Sequence, residues 1–281
     1  MDPYERLEVE IGKGWERDRR KHFDEIVVSY DKARWEYPCA LFEDIIQYHG
    51  KDHGRNALEI GAGTGKATTP FLDAGFAVTA VEMGANMAAF LQEKFKETKG
   101  FLVVAASFED AALKENTYDL VYAASAFHWV DAQIGCPKAL RLLKRGGTFA
   151  LFRSNVDPAD GEPLYEEIQE AYKKHYFQPY QRPVKKTKED FSSPSEILRG
   201  YGFEDLERYG FADVMMKLYD VTLTYGADKY IALMDTMSDH RSLPEDDRAA
   251  LYGGIKKAIG RHGGYIQIDH VFQLYMGKKG Y

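Results

Sequence analysis

Leu58-Glu59-Ile60-Gly61-Ala62-Gly63-Thr64-Gly65 sets three glycines at alternate positions directly after a short apolar run. Glycine at such a turn lets the backbone bend sharply and lets a ligand touch main chain. The spacing departs from the dinucleotide pattern G-x-G-x-x-G, because Lys66 stands at its third glycine position. Glu59 lies just before the loop and would repel a pyrophosphate but attract an ammonium or sulfonium. A second acid, Glu82, closes the next apolar run about 20 residues on, the distance at which a carboxylate takes two ribose hydroxyls. Together the two acids select a cationic nucleoside, and S-adenosylmethionine is the common cofactor of that description.

Outward from the loop the chain alternates. Runs at 57–60, 76–81, 101–105, 120–124 and 148–152 read as strands buried on both faces. Helical patterns lie between them, such as Met87, Leu91 and Phe95 at spacing four, with Gly75, Gly100 and Gly146-Gly147 at helix ends. This is the signature of a parallel sheet between helices. Pro70 falls inside the first helix pattern and predicts a kink or a late start. Before the loop, 15–49 reads as helical, with Phe23, Ile26, Val27 and Tyr30 on one stripe. Leu41, Phe42, Ile45 and Ile46 form a second stripe after Pro38. After Arg153, 195–202 reads as a short helix, 206–223 as extended, 227–237 and 245–261 as helices and 265–276 as a last strand. The sheet is expected to end in an antiparallel pair.

Glu59-Ile60-Gly61-Ala62-Gly63-Thr64-Gly65 resembles the first motif of the class I S-adenosylmethionine-dependent methyltransferases, and Glu82 resembles their ribose-binding acid. Ser107-Phe108-Glu109 is similar to the segment that frames the adenine. Tyr118-Asp119-Leu120-Val121 resembles the fourth-strand motif, and Leu143-Lys144-Arg145-Gly146-Gly147 the turn into strand five. Phe127-His128-Trp129-Val130, with Phe23, Tyr30-Asp31, Arg34 and Tyr37-Pro38, is similar to small-molecule methyltransferases of the trans-aconitate methyltransferase type. The resemblance implies an α/β, Rossmann-like seven-stranded mixed sheet of order 3-2-1-4-5-7-6, with helices on both faces and a helical cap. It implies one domain over 1–281, lid helices at 1–37 and cap inserts at 155–192 and 226–262. The cofactor-binding residues it implies are Tyr30, Arg34, Glu59, Gly61, Ala62, Gly63, Glu82, Met83, Ser107, Phe108, Glu109 and Ala124.

Methyl transfer to a heteroatom is an in-line displacement from an activated leaving group, so alignment is most of what a protein must supply. A base is needed only if the acceptor keeps its proton at neutral pH. His128, after strand four, is the candidate base, against a purely structural role. Phe127 and Trp129 are candidate walls of the methyl site, one of them core. Ala124-Ser125-Ala126-Phe127 lacks the Asn/Asp-Pro-Pro-aromatic motif of enzymes that methylate nucleic-acid amines or protein amides. Cys136-Pro137 reads as structural. Arg34 is a cation suited to a carboxylate. Residues 172–188 interleave bases with aromatics, a stretch that reads first as a solvated helix and loop and second as a grip on RNA or an acidic substrate.

Composition agrees with this reading. Of 281 residues 44% are hydrophobic, ordinary for a globular chain, and the net charge of −7 disfavours duplex nucleic acid. The cysteine count of 2 supports neither a disulfide framework nor a zinc set. No apolar run reaches spanning length, and Met1 to Glu5 is charged, so a cytoplasmic protein off the membrane is expected, monomeric or weakly dimeric. No metal site is expected. The expected activity is methyl transfer to a small molecule through an acidic oxygen, a carboxylate or phenol. An RNA or protein methyltransferase, or a non-catalytic cofactor-binding protein, stays open.

Overall fold

The computed structural model describes residues 23–157, 162–177 and 206–280. Seven strands form one sheet of order β3-β2-β1-β4-β5-β7-β6, as the resemblance implied. They are β1 Asn56–Ile60, β2 Ala77–Glu82, β3 Phe101–Ala105, β4 Tyr118–Ala124, β5 Leu143–Asp157, β6 Phe211–Gly226 and β7 Tyr265–Lys279. The first five pair in parallel, and β7 runs antiparallel to both β5 and β6.

The helices are α1 Val27–Ala33, α2 Cys39–His49, α3 Thr68–Asp73, α4 Ala85–Lys94, α5 Ala132–Leu142, α6 Pro163–Tyr172, α7 Ala227–Met234, α8 Ser238–Arg241 and α9 Glu245–Arg261. The inner strands β1 and β4 are apolar on both sides because both faces are covered; β3, expected to be buried on both faces, is the edge of the sheet and leaves Leu102 exposed. Phe71, Tyr122, Phe152, Phe272 and the α2 residues Leu41, Phe42 and Ile45 fill one face. Val121, Phe149, Leu151, Phe127, Cys136 and Leu142 fill the other. Phe71 is fully buried, and its truncation to Ala would cost about 3–5 kcal/mol. A third core joins α6, α7 and α9 to the ends of β6 and β7 through Tyr172, Tyr230, Leu251 and Ile255.

Several expectations change in detail. The two stripes before the loop are two helices, with Pro38 as the N-cap of α2 rather than in its first turn; α1 is seven residues long, Arg34 is extended beyond it with ψ 146°, and residues 15–22 lie outside the described residues. The 195–202 helix lies outside the described residues. Pro70 proves to be a late start, sitting in the first turn of α3, where a missing N–H costs nothing. Gly146 and Gly147 lie within β5, not at a helix end, since α5 has already closed at Leu142. The 155–192 insert begins inside β5, whose last residues 155–157 pair with β7. The aromatics at the start of the 172–188 stretch, Tyr172, Tyr176 and Phe177, are buried in the third core and unavailable for stacking on a ligand. The rest of that stretch lies outside the described residues.

Candidate active site

The tips of β1, β2 and β4 open into one cleft, enclosing about 1140 Å³ including open solvent at its mouth. The glycine loop turns there with φ +66° at Gly61 and +80° at Gly65. A Cβ at Gly61 would sit 2.6 Å from Ala126 Cβ, and one at Gly65 2.6 Å from the Phe95 ring. Only glycine satisfies both the left-handed backbone and that packing. At Gly63, φ +57°, an added Cβ would meet nothing within 4 Å, so the loop is open on the cleft side.

Glu59 is 1% exposed. Its Oε2 accepts hydrogen bonds from Thr68 Oγ1 and Tyr122 Oη, while its Oε1 is buried without a partner. Burial lifts its carboxyl to about 8, against those two hydrogen bonds, which favour the charge. Glu82 accepts the Gly63 N–H at 2.8 Å on Oε2 and the Gly84 N–H at 2.9 Å on Oε1. Burial raises its pKa too, partly offset by those N–H groups. Ser107, Phe108 and Glu109 follow β3 along the same wall. Ser107 Oγ donates to Asp110 Oδ2 at 2.7 Å, which fixes the turn.

Residues 23–37 cross the cleft and are tied on both sides. Asp24 Oδ1 accepts the Met87 N–H at 2.8 Å at the start of α4. Asp31 pairs with Lys94 at 3.5 Å, and Glu36 with Lys66. Arg34 Nη2 donates to the Thr236 carbonyl at 2.8 Å, its guanidinium lies over the Tyr30 and Trp35 rings, and its Nε is buried without a partner. Phe23 meets Tyr30 and Trp129 edge-on, at 5.7 and 6.1 Å between ring centroids.

All twelve residues that the sequence assigned to the cofactor, from Tyr30 to Ala124, line this cleft. His128 does not. It sits on the one-turn helix Phe127–Trp129 with its side chain exposed, because that turn buries Phe127 and gives Trp129 to the cleft. Phe127 is thus the core residue of the pair and Trp129 the wall. Cys136 is buried in α5.

Sequence reasoning missed Asp24, Thr64, Trp35, Tyr37 and Ser125 as lining residues. Tyr37 and Ser125 join across the β4 tip, Tyr37 Oη donating to Ser125 Oγ at 2.9 Å. Burial raises the Tyr37 phenol above its ordinary range, so it stays a donor. Ser125 holds a left-handed φ of +50°, a conformation that costs energy in a non-glycine residue and concentrates at functional sites. Tyr37-Pro38 was the one signal in the sequence for this pair.

The donor set fits S-adenosylmethionine. Glu59 Oε1, Arg34 Nε and Thr64 Oγ1 are buried polar atoms without partners in the cleft wall. An ammonium, a carboxylate and a further polar group of a bound amino acid would satisfy them. Glu82 stands where ribose hydroxyls would reach a carboxylate.

Residues 58–151 match the family described as "Methyltransferase domain". An uncharacterized methyltransferase of Mycobacterium tuberculosis is 33% identical over 165 residues, 54% of this chain and 65% of the relative. The chain thus spans just under two thirds of that relative's length. An uncharacterized methyltransferase-like protein of Schizosaccharomyces pombe is 27% identical over 260 residues, 90% of this chain and 93% of the relative. Among solved structures, phosphoethanolamine N-methyltransferase 2 of Haemonchus contortus, in complex with phosphomonomethylethanolamine and S-adenosylhomocysteine, superposes with TM-score 0.53 at 15% identity. The superposition covers 94% of this chain and 59% of that one, and establishes likeness of fold. A pyrophosphate reader would not carry a carboxylate beneath its loop or a lysine at the third glycine position. Residues 58–151 are thus similar to a methyltransferase domain, carried on the sheet order described above.

Proposed function

We propose that the protein moves a methyl group from S-adenosylmethionine to an acidic oxygen, carboxylate or phenol, of a small molecule. It would do so as a single domain in which residues 1–37 form a lid and 226–262 much of a cap. The observation that carries this reading is Arg34. It is a cation in the cleft wall, held by the Thr236 carbonyl and the Tyr30 and Trp35 rings, with its Nε still unsatisfied. A guanidinium held in this way suits an oxyanion, on the cofactor's amino-acid end or on the acceptor. The tie-down of residues 23–37 leaves room for a small acceptor rather than a folded one. The burial of Tyr172, Tyr176 and Phe177 removes three aromatics from the rival RNA-binding reading.

The cofactor supplies an electrophilic methyl on a sulfonium. This chain's residues bind and orient. Glu82 and the loop N–H groups fix the nucleoside end, and Glu59 takes the ammonium. Tyr37 holds Ser125 Oγ at the β4 tip, leaving the serine O–H to direct an acceptor lone pair. Trp129, Phe23 and Tyr30 exclude water. An acceptor already ionised at pH 7 needs no base, which accords with an exposed His128. The test is a methyl-acceptor screen with tritiated S-adenosylmethionine. Small carboxylic acids and phenols should be labelled, and bulk RNA and lysate protein should not. Label in RNA or protein alone would overturn the reading.

A further inference from the structure

Strand β5 runs on past the end of β4. The Ser125 N–H donates to the Phe152 carbonyl at 2.7 Å, and from Arg153 to Asp157 β5 pairs with β7. The register sets Arg153 opposite Gln273, with Asn155 two residues on. Alternation turns these three side chains to one face, the one Phe149 and Leu151 occupy in the core below.

Gln273 is 0% exposed. Its Oε1 faces Arg153 Nε at 3.5 Å, which fixes the amide so that its NH2 points elsewhere. That Nε2, and Asn155 Nδ2, are buried without a hydrogen-bond partner. A buried amide left unpaired is destabilising, and apolar residues would pack better at both positions. Two unsatisfied NH2 groups beside a guanidinium make a donor set for an oxyanion. Asp220 and Asp269 share this face of the hairpin. Asp220 is exposed and stands opposite Val271 on the edge strand, and Asp269 is engaged by Thr222 Oγ1 at 2.6 Å.

We propose that Arg153, Asn155 and Gln273 form a subsite for a carboxylate or phosphate group of the methyl acceptor, on the two strands next to β4, about one to two strand spacings from its tip. The proposal rests on the methyl-transfer reading for the identity of that ligand. It places the anionic group beside the parallel-strand ends, where open α/β sheets take their ligands.

The experiment follows thermal melting of the full-length protein in acetate, in inorganic phosphate and in chloride at equal ionic strength. Acetate or phosphate should raise Tm saturably over chloride, and which one does so distinguishes a carboxylate from a phosphate acceptor. Gln273→Leu and Asn155→Ser should each weaken that response at least about tenfold. Their affinity for S-adenosylhomocysteine, measured by calorimetry, should be unchanged. No anion response in the wild type, or an undiminished response in both variants, would overturn the subsite. Should Gln273→Leu fail to fold, Asn155→Ser decides alone. Loss of S-adenosylhomocysteine binding by the wild type would instead strike the methyl-transfer reading, a separate result from the anion response.

Discussion

Glu82 Oε2 accepts the Gly63 N–H at 2.8 Å, so the tip of the second strand is bonded directly to the middle of the glycine loop. The other oxygen accepts the Gly84 N–H at 2.9 Å at the mouth of α4. One carboxylate thereby sets the distance between loop and helix, and each oxygen keeps a lone pair for a ligand hydroxyl. The loop is thus shaped by contacts within the protein itself.

Glu82→Ala removes the bridge and the acceptor together. S-adenosylhomocysteine should bind more weakly by about 1–3 kcal/mol. Calorimetry on the folded variant checks this, and unchanged affinity would place the ribose elsewhere.

Glu59 links cofactor binding to pH. Its folded pKa of about 8 lies above its unfolded value, 4.5, so the folded protein holds the extra proton between them. Stability without ligand should therefore be fullest below about pH 4.5 for this group and fall as pH rises toward 8. The loss is at most ~5 kcal/mol at about 1.36 kcal/mol per unit. An ammonium against Glu59 favours the carboxylate, so cofactor binding at pH 7 should release a proton. Calorimetry in buffers of differing ionisation enthalpy reads it, and Glu59→Gln should abolish the release.

Arg34→Met should leave the sheet folded, since Arg34 lies outside the strands and is only partly buried, yet weaken S-adenosylmethionine binding about tenfold by removing a charge-assisted bond. Equal affinity in the variant would detach Arg34 from the cofactor's carboxylate.

His128 is exposed and outside the cleft lining. His128→Gln should change turnover by less than about threefold, with a rate nearly flat from about pH 6 to 9, against the roughly 10²–10⁴-fold that a general base contributes. A large defect rescued at high pH would make His128 the base.

Among the described residues no group of three or more His, Cys, Asp or Glu is placed to hold a metal ion. Turnover should accordingly survive exhaustive chelation. Activity lost to a chelator and restored by added zinc or magnesium would contradict this expectation.

The sequence by itself determined the sheet and the glycine-loop side of the cleft. Strand runs, the glycine loop and the two acids are local signals, because a buried parallel strand must be apolar throughout and its βα turn must be small. Glu59 and Glu82 sit on consecutive strand tips, so their spacing along the chain already fixes their spacing in space. The pairings around the β4 tip and along β5 were decided by tertiary structure. Tyr37 meets Ser125 across 88 residues, and Arg153 meets Gln273 across 120. His128 and Trp129 are neighbours in sequence, yet the single turn that carries them sends one to solvent and the other to the cleft. No periodicity encodes those choices, because they depend on which strand a distant segment pairs with and on which side chain the core has room to bury.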